Sequence, residues 1–466
     1  MAPSAPTFPE KLSGKSCAHA RMSGVTAPDQ PLDAPPTPRS TTPGARFTRR
    51  QAVVAVLGVA LLAVVTYLWA HWIVGPHHHQ FDLRIYYSAV NFWTDGHNIY
   101  RYMQPDPVND WLGFTYPPLA AVLMSPMAIL PLGVVKAIAL PAIITTTAVI
   151  VWLSLRDRFG FQGQRMLLAV AVGTCLAFWM EPIRETLGFG QINTMIGALI
   201  MLDVLVLRPR GSRWTGVGIG LAMAVKITPG IFLLYLLLSK QWRATATAVV
   251  TAAVTTLLAA VITPVETWQY YTTLLWDSSR VGYLGSSANQ SLNGLLARFL
   301  EPGTEPSRAL WLVLVIGVLA LTVVRTRKAL AGGDHLVAMT LVGMAGVLIS
   351  PASWYHHMVW VIPAVVVLAR VLTDLVQQWR SHTGVRPEIP WAAVCLALPA
   401  LLIVGFDTKI LFGLPDVDYT GLGWFPVLVA SLPMWWALAT IALLPIRGDR
   451  SSTTTPALSG SAAALD

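Results

Sequence analysis

Residues 53–74 read VVAVLGVALLAVVTYLWAHWIV, with no Asp, Glu, Lys or Arg, and residues 77–87, just beyond, read HHHQFDLRIYY. A helix rises about 1.5 Å per residue, so the first stretch is long enough to cross the roughly 30 Å hydrocarbon layer of a bilayer. The segment before it is too long and too polar for the charged region of a leader peptide. No small-residue cleavage site follows it, so the run is expected to stay as a first spanning helix. Asp82, Arg84, Tyr86 and Tyr87 then lie a few residues past a membrane exit, at a level where chain is usually either apolar or well solvated.

The remainder of the sequence extends this reading. It is 54% hydrophobic and 12% charged, with mean hydropathy +0.57. Soluble domains carry about 25% charged residues, so the class is an all-α polytopic membrane protein. The net charge of +9 is what basic cytosolic loops produce, and no nucleic-acid partner is inferred from it. Cys17, Cys175 and Cys395 are scattered and form neither a metal-binding pattern nor a disulfide framework. Residues 1–50 and 448–466 read as disordered cytosolic tails on either side of a single membrane domain, 51–447.

Further apolar runs fall at 134–155, 165–180, 192–207, 244–263, 308–324, 335–350, 356–373, 391–405 and 424–445, which predicts a bundle of about ten to twelve spans. Two stretches stay open. Residues 117–131 are bracketed by prolines. Residues 214–239 break at VKITPG, which suits a hairpin or a discontinuous pair, tolerated in a membrane only where the open backbone is buried or lines a cavity. Basic clusters such as Arg46/Arg49/Arg50, Arg156/Arg158, Arg208/Arg210/Arg213, Arg325/Arg327/Lys328 and Arg447/Arg450 fall at alternate ends of the spans. By the positive-inside rule those ends, and both termini, are cytosolic. The segments that mix polar and aromatic residues fall on the other side, so the functional face is expected outside the cytoplasmic membrane.

FDLRIYYSAVNFW places Phe81, Ile85, Ala89 and Phe92 at helical spacing, which predicts an amphipathic helix in the interface. Asp82 at its start suits either a helix cap or a general base offered to a lipid-borne hydroxyl. In EPIRETLGFGQIN, residues 181–193, Glu181 shares a helix face with Arg184 and Glu185; a structural ion pair and a substrate site are both open there. Lys226, beside the break at Thr228–Pro229, is costly in mid-membrane and points to an anion or phosphate contact. Arg280, in a polar loop with Asn289, has the planar donor fork that grips phosphate. His356 and His357 sit in SPASWYHHMVW. Adjacent ring positions point about 100° apart on a helix, which favours contact with a leaving phosphate over a shared metal. No P-loop or dinucleotide-binding glycine pattern is present.

The stretches DLRIYYSA, FTYPPLAAVL, EPIRETLGFGQIN, GLAMAVKITP, NQSLNG and VLISPASWYHH, in that order, resemble glycosyltransferase family 87 of the GT-C class. The resemblance is to its actinobacterial polyprenol-phosphate-mannose-dependent α-1,2-mannosyltransferases. It implies a GT-C type bundle with the active site on short outer loops. It also implies a polyprenyl-phosphate-linked mannose donor and a glycolipid acceptor of phosphatidylinositol mannoside or lipomannan type; separately, no cofactor is expected and no metal site is read from the residues. Asp82 matches the family's acidic residue in the first outer loop and would act as base in an inverting transfer to a mannose 2-hydroxyl. His356, His357, Arg280, Lys226 and Arg184 are then candidates for the leaving phosphate, and Tyr86, Glu181, Gln191 and Asn289 for sugar hydroxyls. A polyprenyl-phosphate arabinofuranosyltransferase is the alternative within the class. A lipid or solute transporter is the alternative outside it, disfavoured because the polar residues gather on one face and no inverted repeat is visible.

Overall fold

The structure is a computed structural model that describes residues 47–69, 79–106, 108–381, 389–400 and 412–447. Nearly all of the two expected tails, and His77 and His78, lie outside the described residues.

The apolar runs fold as helices, most of them bounded by Pro, Gly or a side-chain cap. The first, α1 (Arg49–Leu68), starts in a capping box in which Thr48 and Gln51 exchange side-chain-to-backbone bonds. The interfacial helix α2 (Phe81–Thr94) follows, and then a hairpin of β1 (Met103–Asp106) and β2 (Asp110–Gly113), which pairs Met103 with Gly113 and Asp106 with Asp110. The next helices are α3 (Pro118–Met124), α4 (Leu132–Phe159), α5 (Gly163–Ala177), α6 (Glu181–Phe189), α7 (Asn193–Leu202), α8 (Val217–Val225) and α9 (Phe232–Leu238). After them come α10 (Trp242–Ile262), α11 (Pro264–Thr272), α12 (Leu292–Ala297), α13 (Arg308–Ala331), α14 (His335–Ile349) and α15 (Val361–Arg380). The last described helices are α16 (Trp391–Pro399), α17 (Trp424–Ala430) and α18 (Leu432–Leu443).

Among the described residues five helices, α1, α4, α10, α13 and α15, are each long and apolar enough to cross a membrane; the bent pairs α5–α6 (78°) and α17–α18 (64°) raise the number to seven. The other expected spans are shorter or broken. One of these, α14, has only 15 residues but is buried along nearly its whole length, as a helix hydrophobic all round should be. It is packed by α9, α13, α15 and α18, and the largest apolar cluster forms around it. A second cluster, built from Leu83, Ile85, Tyr86, Ala89 and Val90 of α2 with Phe114, Tyr116 and Tyr270, holds the interfacial helix down on the bundle.

The break in 214–239 is a re-entrant hairpin. At one end Asp203 accepts from the amides of Gly216 (2.7 Å) and Ile219 (3.1 Å) at the start of α8. Beyond the break, Tyr235 in α9 returns to meet His335 at 2.9 Å. Lys226 lies at the apex between them, in extended conformation (φ −148°, ψ 133°). The carboxylate at the N-terminus of α8 and the ammonium at its C-terminus both favour its dipole. The His335 end is also the basic end. There Asp334, wholly buried, caps α14 through Val337 N (3.1 Å), pairs with Arg158 at 2.5 Å and accepts from Arg447 N at 2.9 Å. The nine residues of α8, about 14 Å of helix, separate this end from the level of Lys226.

Candidate active site

Two left-handed residues, His79 (φ 49°) and Gln80 (φ 56°), lead into α2. Both are held: Lys136 Nζ donates to the His79 carbonyl at 3.0 Å, and Gln80 N donates to the Gly188 carbonyl at 2.7 Å. Non-glycine residues in this region cost about 1–3 kcal/mol each and persist where the surroundings fix them. The N-cap is Gln80, with no side-chain cap, so Asp82 is inside the first turn and does not cap the helix. Its Oδ2 accepts instead from Gln191 Nε2.

Gln191 can reach Asp82 because Gly190, in the left-handed conformation (φ +70°), closes α6 and lets the chain press on α2. A Cβ at Gly190 would come within 2.7 Å of Leu83 Cβ. From there the polar contacts run on. Tyr116 Oη donates to Gln191 Oε1 at 2.8 Å, and Tyr86 Oη donates to Tyr116 Oη at 3.1 Å. Asn193 Nδ2 donates to Gln191 Oε1 at 3.4 Å, and Lys226 Nζ donates to Asn193 Oδ1 at 2.8 Å. Lys226 Nζ also lies 2.9 Å from His357 Nε2 and 5.1 Å from the centre of the Tyr116 ring. Burial pushes the Tyr116 hydroxyl above the ordinary phenol range, so it stays a donor at neutral pH. Burial, with Lys226 and His356 beside it, holds His357 well below the ordinary imidazole value, so the ring is neutral.

This cluster lies against a cavity of about 1670 Å³ whose walls include Asp82, Tyr86, Tyr116, Gln191, Lys226 and His357. A carboxylate able to take a proton and a lysine–histidine pair able to hold an anion thus share one chamber. The other candidates divide. His356 lines the cavity, with its ring edge-on to His357 (4.7 Å between centres, 86°). Glu181, almost fully buried at the start of α6, and Arg184 form another wall. There Arg184 donates to the Trp179 carbonyl (3.2 Å) and covers Trp69, itself stacked on Trp179. Arg280 belongs to a separate wall, donating to the Phe114 carbonyl at 3.1 Å above the Tyr100 ring.

Asn289 is a correction. It is wholly buried and does not line the cavity. Its Nδ2 donates to the Leu284 carbonyl (2.9 Å), and its Oδ1 accepts from Ser353 N (2.9 Å) and Ser291 N (3.2 Å). Its amide is thereby committed to backbone groups and fastens the loop before α12 to the turn that carries the histidines. Arg298, absent from the sequence reading, does similar work: it donates to the carbonyls of Ser286 (2.7 Å) and Asn289 (2.9 Å) and to Ser431 Oγ (2.8 Å). Tyr116 and Asn193 were also missed as site residues. In sequence Tyr116 was only the end of a loop before Pro117–Pro118, and the signal that could have found it was a lone tyrosine among apolar neighbours at a loop–helix junction.

The sequence model of glycosyltransferase family 87 matches residues 114–351, about half of the chain. The chain belongs to glycosyltransferase family 87. The family 87 match takes in Tyr116, Gln191, Asn193 and Lys226, with Asp82 before it and His357 after it. Among individual relatives, the polyprenol-phosphate-mannose-dependent alpha-(1-2)-phosphatidylinositol mannoside mannosyltransferase of Mycobacterium tuberculosis is 33% identical over 82% of this chain and 88% of its own. The corresponding pentamannoside mannosyltransferase of M. tuberculosis is 31% identical over 87% of this chain and 88% of its own. An alpha-(1->3)-arabinofuranosyltransferase of the same species is 34% identical over 37% of this chain and 39% of its own. The protein is therefore an integral-membrane glycosyltransferase, and its cavity is read as the active site of one.

Proposed function

We propose that this family 87 enzyme transfers mannose from a polyprenyl-phosphate-mannose to the 2-hydroxyl of a mannose on a phosphatidylinositol mannoside-type glycolipid. The geometry supports this through one observation above the others: Asp82 and the Lys226–His357 pair face the same cavity and are joined by Gln191 and Asn193. Asp82 takes the proton of the acceptor hydroxyl as its oxygen bonds to the anomeric carbon. The bond from that carbon to the phosphate oxygen breaks on the opposite face, so a β-linked donor gives an α-linked product. The electron pair leaves with polyprenyl phosphate, whose growing charge meets Lys226. Donors fixed in place before the reaction, where charge develops, are the largest expected contribution to rate. Neutral His357 orients the lysine. Tyr270, Leu274, Leu275 and Ile227, all on the cavity wall, suit the first isoprene units.

The arginine-rich ends of the spans support placing Asp334 and Arg447 in the cytosol and the cavity on the extracytoplasmic side. The partial arabinofuranosyltransferase match keeps a pentose donor as a second reading, on less than half the coverage. Purified protein given labelled mannosyl- or arabinosyl-phosphopolyprenol separates the two, and mannose transfer into the glycolipid acceptor is the expected result. Asp82→Asn should bind donor and lose about 10²- to 10⁴-fold in turnover. Near-normal turnover of that variant would remove Asp82 from its role.

A further inference from the structure

The sequence reading assigned Gln191 to sugar binding. The hydrogen bonds around it show a different pattern, in which every link points the same way. Lys226 donates to Asn193 Oδ1, Asn193 Nδ2 donates to Gln191 Oε1, and Gln191 Nε2 donates to Asp82 Oδ2. Two amides thus stand head to tail between a cation and an anion, each with its oxygen toward the lysine and its nitrogen toward the carboxylate. The direction is over-determined. Reversing Gln191 would put its oxygen against Asp82 and its NH2 against the Asn193 NH2, so two donor–acceptor pairs would be lost at once, and the Tyr116 hydroxyl would have to turn from donor to acceptor. Tyr116, which itself receives the Tyr86 proton, locks the Gln191 oxygen from the side. All four amide and phenol groups are nearly or wholly buried, where an unmade bond is costly. The spacing of Gln191-Ile-Asn193 lets this happen: both amides flank the first turn of α7, and Gly190 brings that turn onto α2.

We infer that Gln191 and Asn193 are positioning residues that couple the base Asp82 to the phosphate-holding Lys226, so that the two ends of the displacement are set at one fixed separation. This inference rests on the mannosyl-transfer reading and adds what makes Asp82 effective. Two consequences follow from simple electrostatics. An N–H aimed at a carboxylate favours its charged form, so Asp82 stays deprotonated to lower pH with Gln191 than without it. A carboxylate no longer held in place is also misdirected, and a misplacement of about 1 Å costs on the order of 100-fold.

The test uses the full-length protein in detergent or proteoliposomes, with kcat, KM for donor and acceptor, and the pH profile of kcat/KM. Gln191→Ala is expected to lower kcat about 100-fold, with little change in either KM, and to move the acid limb to higher pH. Gln191→Glu keeps the size and the acceptor oxygens but sets a second carboxylate against Asp82, so its acid limb should move further up. Asn193→Asp keeps the acceptor for Lys226 and removes the donor to Gln191. Its new carboxylate also draws on the charge of Lys226, so affinity for polyprenyl phosphate should fall while kcat drops and the acid limb shifts part of the way. A Gln191→Ala protein with raised KM for sugar and an unmoved kcat and acid limb would make Gln191 a sugar ligand and overturn the inference. So would an active Gln191→Glu enzyme, or an Asn193→Asp enzyme with the wild-type profile. Thermal unfolding in detergent is run on each variant, and Asn193→Asp decides the matter if the Gln191 variants do not fold. Wild-type transfer of arabinose instead of mannose sinks the donor assignment alone, since the same profiles then judge the relay on that donor. Transfer of neither sugar sinks both.

Discussion

At the scale of single residues, chemistry separates what could be read in advance from what could not. Lys226 stood out as a candidate because a lysine inside an apolar run is expensive, whereas Asp82 suited a helix cap equally well until the resemblance to family 87 pointed to a base. The amides gave no such signal. Gln191, Asn193 and Asn289 are alike in sequence, yet two of them join Asp82 to Lys226 while the third bonds backbone groups. The difference is set by what the fold brings within hydrogen-bonding distance of each, which composition and spacing do not encode. The distinction is measurable. Asn289→Ala leaves the Ser353 and Ser291 amides without their acceptor, at about 1–3 kcal/mol for an unsatisfied buried group. We expect a lower unfolding temperature in detergent and, at temperatures where the variant is folded, unchanged KM for donor and acceptor. A selective rise in acceptor KM with unaltered stability would return Asn289 to the sugar site.

At the scale of elements, hydropathy showed where helices would lie but not how they bend. The run at 356–373 begins its helix only at Val361, because Trp354–Met358 folds as a tight turn that carries His356 and His357. The run at 165–180 is continued by α6 after a 78° bend, and the bend sends α6 across the start of α2. The hairpin of β1 and β2 went unseen because each strand is only four residues and neither alternates clearly. The junction of α6 and α7 offers the sharpest test of how elements position Asp82. Gly190→Ala must tolerate both a left-handed backbone and a Cβ within 2.7 Å of Leu83 Cβ. Strain of about 1–3 kcal/mol is expected, relieved by moving α2 off α6. Since α2 carries Asp82, turnover should fall more steeply than donor affinity, measured as kcat against binding of polyprenyl phosphate. Equal turnover in Gly190→Ala would mean that α2 is held by its apolar face alone.

At the scale of the whole molecule, the fold places two kinds of polar network at opposite ends of the helices. One end holds Asp334 with Arg158 and the Arg447 amide, together with His335 and Tyr235. The other holds Asp82, Gln191, Asn193, Lys226 and His357. The α8–α9 hairpin touches both, entering at Asp203, turning at Lys226 and returning to His335. Lys226 thus reaches the cluster from a segment that returns to the end it entered from. This arrangement carries a topological prediction. Gln162, exposed in the turn between α4 and α5, belongs to the basic end, and Thr304, exposed before α13, to the site end. In a background lacking Cys17, Cys175 and Cys395, Thr304→Cys should react with a membrane-impermeant maleimide on intact cells, and Gln162→Cys only after the membrane is opened. Labelling of Gln162→Cys in intact cells would invert the molecule and put Asp82 in the cytosol. A nucleotide sugar would then be the accessible donor, and the need for a polyprenyl-phosphate sugar would disappear with it.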